Sequence, residues 1–585
     1  MPIKYEKEQI MNARERYEEW LSSPVFDEKT KAELREIAGD EAAIRERFEG
    51  DLEFGTGGMR GIMGAGTRRM NVYTVRKATQ GLANYIIKKG AQEKGVALSF
   101  DSRNRSEEFA RETALTLCAN GIPIYIFPTL HPTPMLSFAV RELGCTAGVN
   151  ITASHNPPEY NGYKAYWDDG AQVTYPDDEN IIAEVNAIES FADVKTMSLE
   201  EAKAAGLYHL IGPEVSDRYF EELKKLIRRP EVIEQEKDNV TLVYTPLHGT
   251  GLEPAKRILE ELGFSKVYVV EEQAKPDGNF PTVGYPNPED PKAFELALEL
   301  ARKVKADIVI ANDPDADRLG VFLRNGEDYV RMTGNMTGCL LADYEIGGIK
   351  EKCGLCDHGV FISTIVTSNM AGAIARKYGV RFYETLTGFK HICGKLRELE
   401  QTEPDVHYLY GFEESFGSSF GAYCRDKDGI AAVMALCEAV CYYKTKGMSL
   451  WDGLQALYQE VGYYRDINIS KNFPGLDGKD KMAAIMDSLR KNPPKTLGGL
   501  PVVAMRDYLL KTTKDFVTGQ EGVTTLPESN VLYFELTDDA WVCLRPSGTE
   551  PKIKLYCGVK GESQQEASAK EEVMVRELNA LMDSF

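Results

Sequence analysis

Residues 96–127 read VALSFDSRNRSEEFARETALTLCANGIPIYIF. Val96–Phe100 is a short apolar run that breaks into a polar loop. From Ser106 an amphipathic stretch follows a capping signal and stops at Gly121, and Ile122–Phe127 is a second apolar run. Strand, helix and strand at this spacing are the grammar of a βαβ unit and predict a mostly parallel sheet. The same grammar returns further on. VTLVYTPLHGTG (Val240–Gly251) reads as a strand with a Gly-rich turn, followed by a helix and the strand Lys266–Val270. ADIVIANDPDADR (Ala306–Arg318) is another strand running into a polar loop, and GVFISTIVTSNM (Gly359–Met370) opens a third block. No strict sequence repeat accompanies the pattern; three α/β units in series are expected.

The flanks differ. Ile10, Ala13, Tyr17, Trp20 and Leu21 share one helical face, so residues 1–45 are expected to form a helical packing extension. Near residues 460–475 Pro/Gly-rich stretches set in, and Val531–Gly548 alternates like an antiparallel hairpin with Asp538-Asp539 at its turn. That predicts a separate C-terminal α+β domain.

Bulk properties bound the function. With 585 residues, 43% hydrophobic and 27% charged, the chain can bury large cores, and disorder is excluded. A net charge of −21 argues against nucleic acid as a partner, yet leaves room for a local basic pocket holding a phosphorylated ligand. The N-terminal MPIKYEKEQIMNARERYEEW has no apolar core of a signal peptide. The longest near-apolar stretch, Ile430–Tyr443, is interrupted by Glu438 and too short to span a bilayer, so it reads as a buried helix and no membrane partner is expected. The sequon at Asn150 is then expected to stay unglycosylated, and the eleven cysteines to stay thiols in a cytoplasmic setting. Cys353-x-x-Cys356-x-His358 lacks the second ligand pair of a structural zinc site, and incidental thiols are expected there.

Five stretches carry chemistry. Thr152-Ala-Ser154-His155-Asn156-Pro157-Pro158 follows an apolar strand and is expected to present Ser154 on an exposed loop, as a nucleophile, a phosphate carrier or simply a turn residue. Asp313-Pro-Asp315-Ala-Asp317-Arg318 sets three carboxylates at i, i+2 and i+4; read as an extended loop, they point the same way and repel unless a hard divalent cation such as Mg²⁺ joins them. An EF-hand is excluded, because its glycine and glutamate positions hold Arg318 and Arg324. Arg545-Pro-Ser547-Gly548-Thr549-Glu550-Pro551 offers a guanidinium fork, hydroxyls and exposed amides suited to a phosphate dianion; a capping turn is the plainer reading. Gly411-Phe-Glu413-Glu414-Ser415-Phe-Gly417 suits sugar hydroxyls as well as it suits a helix start. Phe54–Gly61, FGTGGMRG, is neither a P-loop nor a dinucleotide fingerprint, but its glycines and Arg60 suit an anion. Thr387-Gly388-Phe-Lys390-His391 and Arg425-Asp-Lys427-Asp-Gly429 are weaker signals of the same kind.

In this order the motifs resemble the α-D-phosphohexomutase superfamily over roughly residues 50–560, nearly the whole chain. The helical lead-in and the spelling FGTGGMRG look most like its longer phosphoglucomutase branch, which includes phosphopentomutases and glucose-1,6-bisphosphate synthases. The resemblance implies three similar α/β domains with mixed, mostly parallel sheets and a C-terminal α+β domain around a central cleft. The expected divisions are 1–45 (helical extension), 46–208 (phosphoserine loop), 209–328 (metal loop), 329–460 (sugar loop) and 461–585 (phosphate loop).

It further implies that Ser154 is the phosphoserine and that Asp313, Asp315 and Asp317 hold Mg²⁺ together with the Ser154 phosphate. Arg60, His155, Lys164, Arg318 and Lys427 would surround the transferring phosphoryl, with the two lysines as acid/base candidates. Thr387 and Gly388 would read sugar orientation, with Lys390 a further substrate-binding residue, Glu413 and Ser415 would bind the hydroxyls, and Arg545, Ser547, Gly548 and Thr549 the non-reacting phosphate. The expected activity interconverts glucose 1-phosphate and glucose 6-phosphate, with glucose 1,6-bisphosphate as activator, in a monomer or weak homodimer whose partners are small sugar phosphates. Glucose rather than mannose or a pentose follows from the branch alone, since the TGFKHI loop departs from the shorter phosphoglucomutases; a bisphosphate synthase is a further alternative. An aspartyl-phosphate phosphatase is a remote one, as Asp317 stands where that class wants Thr or Val. A non-catalytic binder would need no nucleophile.

Overall fold

The computed structural model describes residues 12–585 except 56, 474–477 and 548–551. Ile10 of the expected helical face, and Thr56, Gly548 and Thr549 of the expected anion loops, lie outside the described residues. The chain divides into two compact units: the part through Ile227 with Lys237–Phe322 and Ser419–Cys437, and Arg228–Glu236 with Leu323–Ser418 and Glu438–Phe585.

In the first unit, the lead-in forms helices Ala13–Ser22, Glu28–Glu36 and Glu41–Phe48, each begun by an Asn or Asp whose side chain accepts a backbone N–H. Their buried faces meet in an aromatic cluster in which Trp20 stacks on Phe26 at 4.1 Å and meets Tyr73 edge-on. The first sheet has strands β1 (Gly58–Ile62), β2 (Val96–Phe100), β3 (Ile124–Ile126), β4 (Ala147–Ile151), β5 (Tyr160–Trp167) and β6 (Tyr208–Leu210), in the order β1-β5-β4-β2-β3-β6. β4, β2, β3 and β6 run parallel, while β5 and β1 are antiparallel additions. Every residue of β2 and β4 is buried, the pattern of strands covered on both faces. The helix after β2 is Ser106–Ala119, as its period predicts. Ser106 does not cap it: Arg105 holds that position at φ 65°, and the Ser106 hydroxyl instead donates to Asp101 at 2.8 Å.

The second sheet orders β11-β10-β9-β7-β8, from β7 (Thr241–Thr245), β8 (Lys266–Val269), β9 (Ile308–Asn312), β10 (Leu319–Asn325) and β11 (Asp328–Met332). β7 runs parallel to both β8 and β9.

In the second unit, the third sheet orders β13-β12-β14-β15, from β12 (Gly359–Thr364), β13 (Arg381–Thr385), β14 (His407–Glu413) and β15 (Gly417–Phe420). β12 is parallel to both neighbours. The fourth sheet is antiparallel: β16 (Tyr463–Asn472), β17 (Thr496–Leu497), β18 (Leu500–Asp507), β19 (Thr512–Asp515), β20 (Glu521–Val523), β21 (Leu532–Leu536), β22 (Trp541–Pro546) and β23 (Lys552–Gly561), in the order β16-β23-β22-β21-β18-β19-β20 with β17 beside β18. Asp538 and Asp539 turn the β21–β22 hairpin, both with φ near 60°. Helices Gly478–Lys491 and Gln564–Asp583 bury Met482, Ile485, Met574 and Leu578 against this sheet. Three α/β layers and an α+β domain are therefore present, as expected. The stretch Ile430–Tyr443 lies in helix Gly429–Thr445, and among the described residues no helix is long and apolar enough to cross a membrane.

Candidate active site

The functional loops of the first unit leave the carboxyl ends of β2, β4 and β9, where an open α/β sheet gathers ligands. After β9 the chain does not continue extended. It turns, with Ala316 left-handed at φ 51° and its N–H donating to the Asp313 carbonyl at 2.9 Å. This turn, rather than strand alternation, brings one carboxylate oxygen from each of Asp313, Asp315 and Asp317 within 4.8 Å of the others. All three side chains are buried.

Neighbouring loops fix the turn. Thr250 donates to the Pro314 carbonyl through its N–H at 2.8 Å and its hydroxyl at 3.0 Å. Gly249 lies so close that a Cβ there would stand 2.3 Å from Pro314 Cα. Asn312 donates to the Arg318 carbonyl at 2.7 Å and accepts from Tyr244 Oη at 2.7 Å. Thr133, at the start of helix Thr133–Glu142, donates its hydroxyl to Asp315 Oδ2 at 2.7 Å.

Three buried carboxylates require compensation. Lys164, on β5, reaches Asp315 Oδ2 at 2.7 Å and Asp317 Oδ2 at 3.2 Å. Lys427 lies 3.2 Å from Asp317 Oδ2 and 3.1 Å from Asp426 Oδ1. Asp426 in turn accepts from Tyr166 Oη at 2.8 Å. Arg318 donates its N–H to Asp313 Oδ1 at 3.0 Å and its guanidinium to Glu289 at 2.7 Å. Burial, with Asp315 and Asp317 alongside, pushes the Asp313 carboxyl well above the usual range. For Asp317 burial acts the same way, but Lys164, Lys427 and Arg318 outweigh it and hold the carboxyl low. Burial disfavours the Lys164 ammonium, and Asp315 and Asp317 more than reverse this. Asp315 Oδ1 and Asp317 Oδ1 are buried without a hydrogen-bond partner. Carboxylate oxygens gathered this closely, two of them without a hydrogen-bond donor, are the donor set Mg²⁺ takes.

Ser154 meets this cage. Its Oγ donates to Asp313 Oδ2 at 2.6 Å and lies 3.1 Å from His155 Nδ1. Ser154 is not at an exposed loop tip: only 5% of its surface is accessible. It sits at φ 51°, a conformation costing a non-glycine residue about 1 kcal/mol or more. Burial, Arg318 and Arg60 depress the His155 pKa well below its ordinary value, so the ring is neutral. Arg60, on β1, donates to Asn156 Oδ1 at 3.0 Å.

The sugar and phosphate loops belong to the second unit. Glu413 ends β14 and is buried; Glu414 and Ser415 follow, and Phe416 turns the chain at φ 66°. The Glu414 carbonyl packs where a Cβ on Gly334 would stand 2.1 Å from it. Thr387 and Gly388, the latter at φ 116°, precede helix Phe389–Thr402, which carries Lys390 and His391. Burial, then the charges of Lys390 and Arg545, lowers the His391 pKa to about 4. Arg545 pairs with Lys554 across β22 and β23, and the Ser547 N–H donates to the Lys552 carbonyl at 2.8 Å.

Sequence reasoning missed Asp101, Arg103, Thr133, Tyr166, Glu289 and Asp426. For Asp101 and Arg103 a signal existed: an acid and a base two apart, at the carboxyl end of a strand beside the serine-bearing one.

Comparison with known proteins agrees with this architecture. The four domain models of phosphoglucomutase/phosphomannomutase match in order: α/β/α domains I, II and III over residues 51–192, 217–326 and 333–461, and the C-terminal domain over 512–575. A phosphoglucomutase of Staphylococcus aureus strain MSSA476 is 38% identical over 535 residues, 91% of this chain and 94% of that one. Among solved structures, the phosphoglucomutase pp63/parafusin of Paramecium matches with a TM-score of 0.66 at 18% identity, covering 91% of this chain and 94% of that one. A phosphoglucomutase/phosphomannomutase family protein of Burkholderia thailandensis matches with a TM-score of 0.63 at 20% identity, covering 90% and 97%. Fold and site thus define an intramolecular phosphotransferase. The chain belongs to the phosphoglucomutase/phosphomannomutase family, within the α-D-phosphohexomutase superfamily, whose members depend on Mg²⁺.

Proposed function

We propose that the chain is a phosphoglucomutase that interconverts glucose 1-phosphate and glucose 6-phosphate through phosphorylated Ser154, with glucose 1,6-bisphosphate as intermediate and activator. The observation that carries this reading is the hydroxyl of Ser154 seated 2.6 Å from a carboxylate of the buried aspartate triad, with two lysines on the same triad. The preference for glucose is supported by the Staphylococcus aureus relatives, all phosphoglucomutases.

Asp313, Asp315 and Asp317 would hold Mg²⁺, which when bound neutralises charge on the phosphoryl oxygens. Arg318 and Arg60 add positive charge beside Ser154 and pre-position it, which is most of what phosphoryl transfer asks of a protein. Lys164 and Lys427 are the proton-transfer pair: one takes the proton of the attacking sugar hydroxyl, the other returns one to the leaving oxygen. Glu413 and Ser415 bind sugar hydroxyls, Thr387 and Gly388 read which way the sugar lies, and Lys390 binds substrate beside them. Arg545 and Ser547, with Gly548 and Thr549, bind the phosphate that does not react. We take the protein to be a cytoplasmic monomer or weak dimer, in keeping with eleven free thiols, and to act on sugar phosphates alone. We take 46–208, 209–328, 329–460 and 461–585 as its domains after a 1–45 extension.

The test is a panel of glucose, mannose and ribose 1-phosphates with Mg²⁺ and a trace of the matching bisphosphate. The highest kcat/KM is expected for glucose. Release of inorganic phosphate in place of isomerisation overturns the mutase reading. Net bisphosphate synthesis from a phosphoryl donor faster than isomerisation makes it a synthase.

A further inference from the structure

The strand that ends at Phe100 delivers Asp101 and Arg103 beneath the serine loop, where both side chains are inaccessible to solvent. Arg103 donates one arm of its guanidinium to the carbonyls of Ser154 and Asn156. The other arm donates to the carbonyls of Pro157 at 2.9 Å and Tyr160 at 3.1 Å. One cation thus gathers four backbone oxygens from seven consecutive residues. Asp101 compensates its charge, with Oδ2 3.4 Å from Arg103 Nε.

The same Asp101 oxygen accepts the Thr152 hydroxyl at 2.6 Å, and that hydroxyl oxygen accepts the Ser154 N–H at 2.8 Å. The acid–base pair therefore holds Ser154 from both sides, its N–H through Thr152 and its carbonyl through Arg103. These are the two groups whose directions define the left-handed backbone of Ser154. A loop between the second sheet's strands closes the arrangement: the Phe280 ring lies 5.0 Å from the Arg103 guanidinium, and a Cβ on Gly278 would stand 2.3 Å from the Asn104 nitrogen.

We propose that Arg103, with Asp101 and Thr152, is the positioning device that aims the Ser154 oxygen at the metal cage. It touches neither sugar nor phosphoryl oxygen, and it acts on the transfer step rather than on sugar-phosphate binding. The inference rests on the reading of Ser154 as the phosphorylated nucleophile. A guanidinium is required because an ammonium offers three donors from one atom and cannot span carbonyls on both flanks of the loop.

The experiment compares wild type with Arg103→Lys, Arg103→Ala and Thr152→Val in the full chain with Mg²⁺. Misplacing the nucleophile by a fraction of its own size lowers kcat about 100-fold in the Arg103 variants and about 10-fold in Thr152→Val, with KM for the sugar phosphate within about twofold of wild type. Guanidinium ion at sub-denaturing concentration restores at least about 10-fold of the lost kcat to Arg103→Ala and none to Ser154→Ala. Unchanged kcat in folded Arg103→Lys overturns the proposal. So does a loss shared equally between kcat and KM with no rescue. If neither Arg103 variant folds, Thr152→Val decides alone, and a kcat within twofold of wild type overturns it. A wild-type protein with no mutase turnover defeats the functional reading, and this inference with it. An active wild type with unaffected variants defeats the inference only.

Discussion

Ser154 Oγ donates a 2.6 Å hydrogen bond to Asp313 Oδ2 across 159 residues of chain. A hydroxyl on one sheet's loop and a carboxylate on the next sheet's loop thereby meet directly, at the residues that would carry the phosphoryl group and help hold Mg²⁺. Burial and the other two acids push the Asp313 carboxyl well above its usual range. The contact is the point where the charge problem of the aspartate turn and the chemistry of the serine loop coincide.

Replacing Ser154 with alanine removes the oxygen that would carry the phosphoryl group. Mutase kcat is expected to fall by about four orders of magnitude or more, as when a nucleophile is deleted elsewhere. Intact mass spectrometry of wild type after incubation with bisphosphate should show one added phosphoryl group, and Ser154→Ala none. A Ser154→Ala protein that still turns over at the wild-type rate would falsify the mechanism.

Thr133 touches the triad from outside, through its hydroxyl on Asp315 Oδ2. Thr133→Val keeps the shape and removes the donor. Outer partners of metal ligands are commonly worth 10–100-fold in metal affinity or activity, and a loss of about that size in apparent Mg²⁺ affinity is expected. The measurement is activity against Mg²⁺ concentration after chelation. Chelation should abolish wild-type activity and added Mg²⁺ restore it.

Gly249 supports the turn by its lack of a side chain. A methyl group there would stand 2.3 Å from Pro314 Cα, and backbone cannot yield as a flexible side chain can. Gly249→Ala should lose about 1–3 kcal/mol in denaturant unfolding and displace the Asp313–Asp317 turn. A variant with wild-type stability and wild-type Mg²⁺ dependence would show that the turn is not held by this contact.

Glu438 lies in the second unit, buried in helix Gly429–Thr445. Its Oε1 accepts the N–H groups of Arg228 at 2.9 Å and Arg229 at 2.5 Å. Burial, and then the neighbouring Glu345, push its carboxyl from the ordinary 4.5 up to about 7. The folded state therefore holds this proton more tightly than the unfolded chain does. Its contribution to stability is full below about pH 4.5 and is lost as pH rises through about 7. Glu438→Gln should flatten the fall in stability over that window by about 1–3 kcal/mol. A slope of comparable size should remain from Asp466, which burial raises from 3.8 to about 7. Denaturant midpoints at pH 5 and pH 8 measure both. An unchanged slope in Glu438→Gln rules out this origin.

Much of the fold was legible because it is written in short-range pattern. The apolar runs at 96–100, 241–245, 308–312 and 359–364 became buried parallel strands, and the Asp538-Asp539 turn became a hairpin with both residues left-handed. The aspartate triad was legible because three acids behind an apolar strand leave few alternatives to a cation. Its geometry was misread. The loop is a turn through Ala316, held by contacts from Thr250, Gly249, Asn312 and Thr133 that lie far from it in the chain or outside its local pattern. Ser154 was expected on an exposed tip and is buried, because Arg103 draws the loop carbonyls inward.

By itself, the order of residues determined which runs form the main strands and helices, which loops carry ionisable groups, and that three acids follow one apolar strand. These follow from periodicity and local sterics, which act over a few residues. Tertiary structure decided which charges neutralise which. Lys164, Asp317 and the adjacent pair Asp426 and Lys427 come from three distant segments and share one charge network. Ser154 takes a strained backbone that its own neighbours would not choose. The physical reason is desolvation: a buried charge or amide must find a partner, and only the assembled sheets determine which one lies within 3 Å or so.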